Sequence, residues 1–282
     1  MNSKILVISE SCNLKYILTD SMKRPKQQLG EIIREVGEIF NIEQASKILN
    51  ISRNESSKML ARWAKQGWLS RIQRGLYTAV SIDAITTDRA LADAWLLVPE
   101  LFSPAYISGW SAAEHWDLTE QIFKDICVVT ERPVPYKTRE VHNVKFFLTH
   151  IKNASTFGTK SIWRQERKIL LSDPHKTIID MLYDPRLGGG IQHVVDCFTE
   201  YLKSPHSNPE ILGSYAEKLG NGAVFKRLGF LCEKNLGKEH LLTLLCKSHL
   251  TKGNAYFDPK FKEGNLITRW KLFVPIKLIH AQ

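Results

Sequence analysis

The sequence predicts an α+β chain: an N-terminal winged helix-turn-helix over residues 26–82, then a mainly helical α+β domain with a small sheet over 85–282. Residues 1–25 stand ahead of both as an extension. Three observations lead to this. Two capped helical segments are separated only by the tight link Leu49 to Ser52, a strand-turn-strand pattern follows them at once, and after residue 125 the hydrophobic period switches to strands and then back to helices.

The first helix is read from Leu29, Ile32, Ile33, Val36 and Phe40, which recur at helical spacing with Glu31, Arg34, Glu35 and Glu38 on the opposite face. Asn41 fits a cap, with Gln44 three residues on to reach back to it, and Ile42, Ala45, Ile48 and Leu49 give a short second helix its apolar edge. Ser52 and Glu55 then form an S-x-x-E capping box. The hydroxyl satisfies an amide of the first turn and the carboxylate returns to the amide of the cap, so a third helix should start at Arg53.

Along that third helix Met59, Leu60 and Trp63 point inward, leaving Arg53, Asn54, Ser57, Lys58, Ala61, Arg62 and Lys65 outside. The spacing of the two helices lets the second lie in a major groove with its first turns against base edges. Arg53, Asn54, Ser57 and Lys58 are the candidate base readers, since Arg suits guanine and Asn suits adenine. Arg62 and Lys65, further along, are placed for phosphate. Gly67 closes the helix, Trp68 to Ile72 read as a strand, Gln73 to Gly75 as a turn and Leu76 to Val80 as its return, so Arg71 and Arg74 belong to a short wing that can grip the backbone. The same pattern fits a three-helix packing unit with a solvated basic face, or a winged helix that docks a protein.

Charge favours a polyanion. The net charge is +10, and residues 1–80 carry 13 Lys and Arg against 7 Asp and Glu, while the other 202 carry 26 against 22. Basic charge concentrated on the segment with the helix-turn-helix pattern is what counterion release from phosphates requires. The 43% hydrophobic content excludes a disorder-dominated chain. Cys12, Cys127, Cys197, Cys232 and Cys246 are odd in number and scattered, and the Cys246–His249 spacing has no second pair to complete a tetrahedral site. No metal and no cofactor is expected. No apolar run approaches the roughly 20 residues that span a bilayer, so the expectation is a cytoplasmic protein without membrane contact, with Met22 an alternative start.

In the larger part, Thr87 can cap a helix carrying Leu91, Ala94, Trp95 and Val98, and Ser103-Pro104 opens another through Trp110, Ala113 and Trp116. Strands are read at Ile126 to Val129, Val144 to Leu148 and Ile162 to Leu171, with a Pro-rich link at Arg132 to Tyr136. Asp173-Pro174 is a cap followed by a first-turn proline, opening a helix lined by Ile178, Ile179 and Leu182. Helices follow at Ile191 to Leu202, Pro209 to Leu219, Ala223 to Cys232 and Glu239 to Cys246, with a last strand at Arg269 to Val274. The triple glycine Gly188 to Gly190 lacks the Lys-Ser/Thr of a phosphate loop.

Some residues also admit an enzymatic reading. Glu166 and Lys168, with Asp125 on an earlier strand, could form a metal-dependent nuclease in which Mg²⁺ bridges the carboxylates. Glu-x-Lys is common by chance and no Pro-Asp precedes it, so no catalytic residue is assigned. Ser111 and His115 lack a third partner. Lys226 and Arg227, among aromatics, read as the wet side of a helix or as a second nucleic-acid surface.

Four blocks, KQGWLSRIQRGLY at Lys65 to Tyr77, ISGWSAAEHWDLTEQIFKDICVVT at Ile107 to Thr130, SDPHKTIIDMLYDPRLGGGI at Ser172 to Ile191 and GNGAVFKRLGFL at Gly220 to Leu231, together resemble the AbiEi family. That family is the antitoxin and autoregulator half of type IV toxin-antitoxin and abortive-infection systems. The resemblance implies a winged-helix repressor bound to double-stranded DNA, an inverted-repeat operator in its own promoter, with more than one copy on it. It also implies a C-terminal antitoxin domain countering a nucleotidyltransferase-like toxin without a stable complex. The DNA-binding role then falls on Arg53 to Lys65 and Arg71 to Arg74. The first 25 residues match nothing in the family.

Overall fold

The computed structural model describes residues 25–80, 93–152, 157–165, 167–260 and 263–280. The extension over residues 1–24, the proposed Thr87 cap with Leu91, and Glu166 lie outside the described residues. The chain divides into two compact units, Met1–Arg89 and Ala90–Gln282.

In the first unit, helix α1 (Pro25–Val36) ends where Gly37 takes a left-handed φ of 79°. Strand β1 (Ile39–Asn41) follows, then α2 (Ile42–Ile48), α3 (Arg53–Lys65), β2 (Leu69–Gln73) and β3 (Leu76–Ala79). The three strands form an antiparallel sheet in the order β1-β3-β2, with Phe40 opposite Tyr77 and Arg71 opposite Tyr77 on the other side. Ile32, Phe40, Ala45, Leu60, Trp63, Leu69 and Tyr77 close the core beneath. One expectation is corrected. Phe40 sits on a strand and not on the first helix, because Gly37 breaks the helix and strand and helix periods both turn Phe40 inward.

The second unit opens with a 3-10 turn, Ala94–Leu96, and α4 (Leu97–Phe102). Next come β4 (Ala105–Ile107), α5 (Gly109–His115), β5 (Ile126–Thr130), β6 (Thr138–Val141), β7 (Val144–His150), β8 (Thr159–Arg164) and β9 (Arg167–Ser172). These strands form one six-stranded mixed sheet, β6-β7-β5-β4-β9-β8. A helical layer follows: α6 (Pro174–Tyr183), α7 (Ile191–Lys203), α8 (Pro209–Leu219), α9 (Gly222–Leu236) and α10 (Leu241–Ser248). The unit finishes on a three-stranded sheet of β10 (Ala255–Tyr256), β11 (Asn265–Ile267) and β12 (Leu272–Val274), then α11 (Ile276–His280).

The six-stranded sheet is larger than the sequence suggested, for two local reasons, and one strand of the small C-terminal sheet is shorter. The stretch after Ser103-Pro104 is a strand and not a helix, because Ala105, Tyr106 and Ile107 are all buried between neighbours on both sides of a central position. Ile162 to Leu171 is a hairpin and not one strand, turning at Gln165 with φ 45°. Arg269 to Val274 is a strand only from Leu272, since Thr268–Trp270 coils as a 3-10 turn. Gly109, with φ 57°, makes the bend from β4 into α5, and a Cβ there would stand 2.3 Å from the Leu187 carbonyl oxygen.

Helix α6 holds the centre of this unit. Lys176 and Asp180, four apart and wholly buried, form an ion pair inside it. Tyr106 and Ser108 each donate to the Asp180 carboxylate at 2.8 Å, and the Lys176 ammonium donates to the Tyr106 hydroxyl at 2.8 Å. Burial pushes the Tyr106 phenol well above its ordinary pKa, with the Asp180 charge adding to it.

Candidate nucleic-acid interface

The second and third helices are each opened by a complete capping box, and each box is local enough to be dictated by four residues. The Asn41 side chain accepts from the Gln44 amide at 2.9 Å while Gln44 accepts from the Asn41 amide at 2.8 Å. The Ser52 hydroxyl accepts from the Glu55 amide at 3.2 Å, and the Glu55 carboxylate accepts from the Ser52 amide at 2.9 Å and from its hydroxyl at 2.7 Å. These bonds from Ser52 hold the Glu55 carboxyl below its usual pKa. The box stays ionised and intact at neutral pH.

Between the helices the chain turns through Asn50 with φ 50°, and the Ser46 hydroxyl donates to the Ile51 carbonyl at 2.6 Å. Ser56, buried on the inner face of α3, donates to the Ile42 carbonyl at 3.0 Å. Ser56 was missed in the sequence reading although Ser56, Leu60 and Trp63 fall at i, i+4 and i+7, the spacing of one inward stripe. The Ile42 amide in turn donates to the Gly75 carbonyl at 3.1 Å, joining the wing turn to the start of α2.

Arg53, Asn54, Lys58, Arg62 and Lys65 are exposed along α3, and Ser57 is half-buried. Arg53 stands 3.8 Å from Glu43 of α2, an exposed pair worth little in water. Arg71 and Arg74 are exposed on the wing. A register shift between Arg71 and Gln73 twists the hairpin there, and the Arg71 Nε donates to the Gln73 carbonyl at 3.4 Å. All eight residues singled out in the sequence thus lie on two adjoining elements of one unit. Lys26 of α1 adds a further cation, 5.9 Å from the Trp68 ring.

Residues 27–80 match the family described as "Transcriptional regulator, AbiEi antitoxin". Over this segment the chain is similar to the AbiEi regulators. The AbiEi match ends with the wing, so the other three sequence blocks lie beyond it. They meet inside the second unit. The Ser108 hydroxyl donates to the Asp180 carboxylate at 2.8 Å, and Arg227 donates to the carbonyls of Leu182 and Tyr183 at 2.6 and 3.2 Å. No curated protein matches the chain. Among solved structures, the chain is similar to the crystal structure of the RV2827C protein from Mycobacterium tuberculosis. The TM-score is 0.58 at 12% identity, covering 90% of this chain and 92% of that one. At that identity the likeness is one of fold.

The other suspected sites are rearranged. Lys226 and Arg227 are neither a wet helix face nor a second nucleic-acid surface. Both are buried, Lys226 bonded to the Gly253 carbonyl and Arg227 also to the Tyr256 carbonyl. Burial pulls the Arg227 pKa down to about 10. Asp125 precedes β5 and pairs with Lys145 at 3.4 Å. Strands β5 and β9 run antiparallel on either side of β4, and both Val128 and Leu171 are level with Ile107. That register puts Asp125 and Lys168 about six residues apart along the sheet, roughly 20 Å, so these two members of the suspected nuclease constellation are not brought together. Ser111 is buried under β5 while His115 is exposed. Cys246 is buried, but His249 stacks on Phe225 at 4.5 Å and faces Glu217 at 3.6 Å. Among the described residues no helix is long and apolar enough to cross a membrane.

Proposed function

We propose that this chain is a sequence-specific DNA-binding transcriptional autorepressor and the antitoxin of a type IV toxin-antitoxin pair, countering a nucleotidyltransferase-like toxin without a stable complex. The observation that carries the reading is the first turn of α3. A doubly bonded Ser52–Glu55 cap fixes the helix start beside the tight link, and Arg53, Asn54 and Lys58 stand exposed immediately after it. Such a start can reach base edges in a major groove while Arg62, Lys65, Arg71 and Arg74 contact phosphate. An inverted-repeat operator accommodates more than one copy.

The test is a gel shift on the DNA upstream of the protein's own gene. Arg53→Ala with Asn54→Ala should remove the preference for that DNA over unrelated duplex, since each good base pair of contacts is worth roughly 1–3 kcal/mol of discrimination. Arg74→Ala should instead weaken both duplexes alike and flatten the salt dependence by about one unit of slope. Binding that ignores sequence and salt would mark a protein-docking winged helix instead. Deletion of residues 26–80 should abolish repression, with antitoxicity residing in the domain over 85–282.

A further inference from the structure

The six-stranded sheet ends at β8, whose two faces carry different chemistry. On one face Trp163 stands 70% exposed, directly across the ladder from the exposed Lys168. On the other, the Arg164 guanidinium lies 4.2 Å from the centre of the Trp95 ring and the Lys160 ammonium 5.2 Å from that of Trp116. The two indoles are bridged by exposed His115, 6.0 Å from Trp95 and 4.8 Å from Trp116. His206, also exposed, extends the row edge-on at 5.7 Å from Trp116.

Core packing accounts for the half-buried Trp95 and Trp116 but not for Trp163, whose indole is left in water across the ladder from Lys168. Rings alternating with cations along a sheet edge offer flat faces to bases and positive charge to the phosphates between them. A duplex hides the faces of its bases, so such a surface selects unpaired strands. Among the described residues, Asp93 holds Arg164 at 3.2 Å, Glu100 holds Arg167 at 3.2 Å, and Asp117 lies near His115. No described carboxylate pairs with Lys160 or Lys168.

We propose that the β8 edge binds single-stranded nucleic acid, with Trp163 as the stacking platform and Lys160 and Lys168 as phosphate contacts. A strand crossing the edge meets Trp163 and Lys168 on one side and Lys160 with the histidine-indole row on the other. This site is separate from the winged helix and does not depend on its reading of duplex DNA.

The experiment is fluorescence anisotropy of the intact chain with labelled 15-nucleotide oligouridylate and oligothymidylate, which distinguish RNA from DNA as the source of the strand. Trp163→Ala should weaken binding about tenfold and Trp163→Phe should retain most of it, as expected for one stacked base. Lys160→Ala with Lys168→Ala should flatten the slope of log affinity against log salt by about 1.4, and neither change should alter the gel shift of the upstream duplex. The proposal is overturned if neither oligonucleotide binds, if Trp163→Ala leaves binding unchanged, or if Arg53→Ala with Asn54→Ala removes it equally. It is also overturned if Trp163→Ala abolishes only self-association in light scattering, which would make the edge a contact between copies.

Discussion

Lys176 and Asp180 show how much a single residue's surroundings decide. On a solvated helix an i, i+4 lysine-aspartate pair is worth a few tenths of a kcal/mol, but here both side chains are wholly buried, with Tyr106 and Ser108 the other partners of the carboxylate among the described residues. Removing one charge strands the other. Lys176→Met should cost about 3–5 kcal/mol in urea unfolding, and adding Asp180→Asn should recover at least half of that, because the amide oxygen still accepts from Tyr106 and Ser108. An additive pair of losses would show that the two charges are not coupled. The burial was not legible, since Ile178, Ile179, Met181 and Leu182 line one side of the helix and Lys176 and Asp180 fall on the other, which reads as a wet face. Arg227 was not legible. Its partners are main-chain carbonyls from distant segments, which carry no side-chain signature.

At the scale of elements, what could be read was what is written within four or five residues. Both capping boxes, the start of α3 at Arg53, the Asp173-Pro174 opening of α6 and the wing turn are local, and the structure places them where the sequence does. The sheet of the second unit was only half legible for a physical reason. Its edge strands β6 and β8 are largely exposed and polar, so they lack an apolar alternation, and β4 is three residues long and buried on both faces. A strand of that kind owes its existence to its neighbours and not to its own sequence. The caps make a prediction of their own. Ser52→Ala should destabilise the first unit by about 1 kcal/mol and weaken duplex binding more than that stability loss explains, since the fraying turn carries Arg53 and Asn54. Far-UV circular dichroism melts and gel shifts on the same preparation measure both effects, and unchanged DNA affinity would remove Ser52 from the interface.

For the whole chain, acid should be the destabilising direction. His175 is half-buried, its Nδ1 2.7 Å from the Tyr201 hydroxyl, and burial holds its pKa below the ordinary histidine value of about 6.5. His115 is lowered for the same reason, with Arg164 adding to it. The unfolded chain therefore binds these protons first as pH falls, so stability is fully present above about pH 6.5 and declines below it. Melting temperatures at pH 7, 6 and 5 should fall in that order, and His175→Gln should make the decline shallower. A flat profile would mean that both imidazoles accept a proton in the folded chain at no cost.

Ile42 has a consequence of its own. Its amide is taken by the Gly75 carbonyl and its carbonyl by Ser56, so a single residue links the wing turn, the start of α2 and the inner side of α3. The span from the tip of the hairpin to the reading helix is consequently fixed before any partner arrives, like the jaw of a set gauge. On the proposed reading, such a gauge is set for the wide major groove of B-form DNA and not for the deep, narrow one of an A-form double helix.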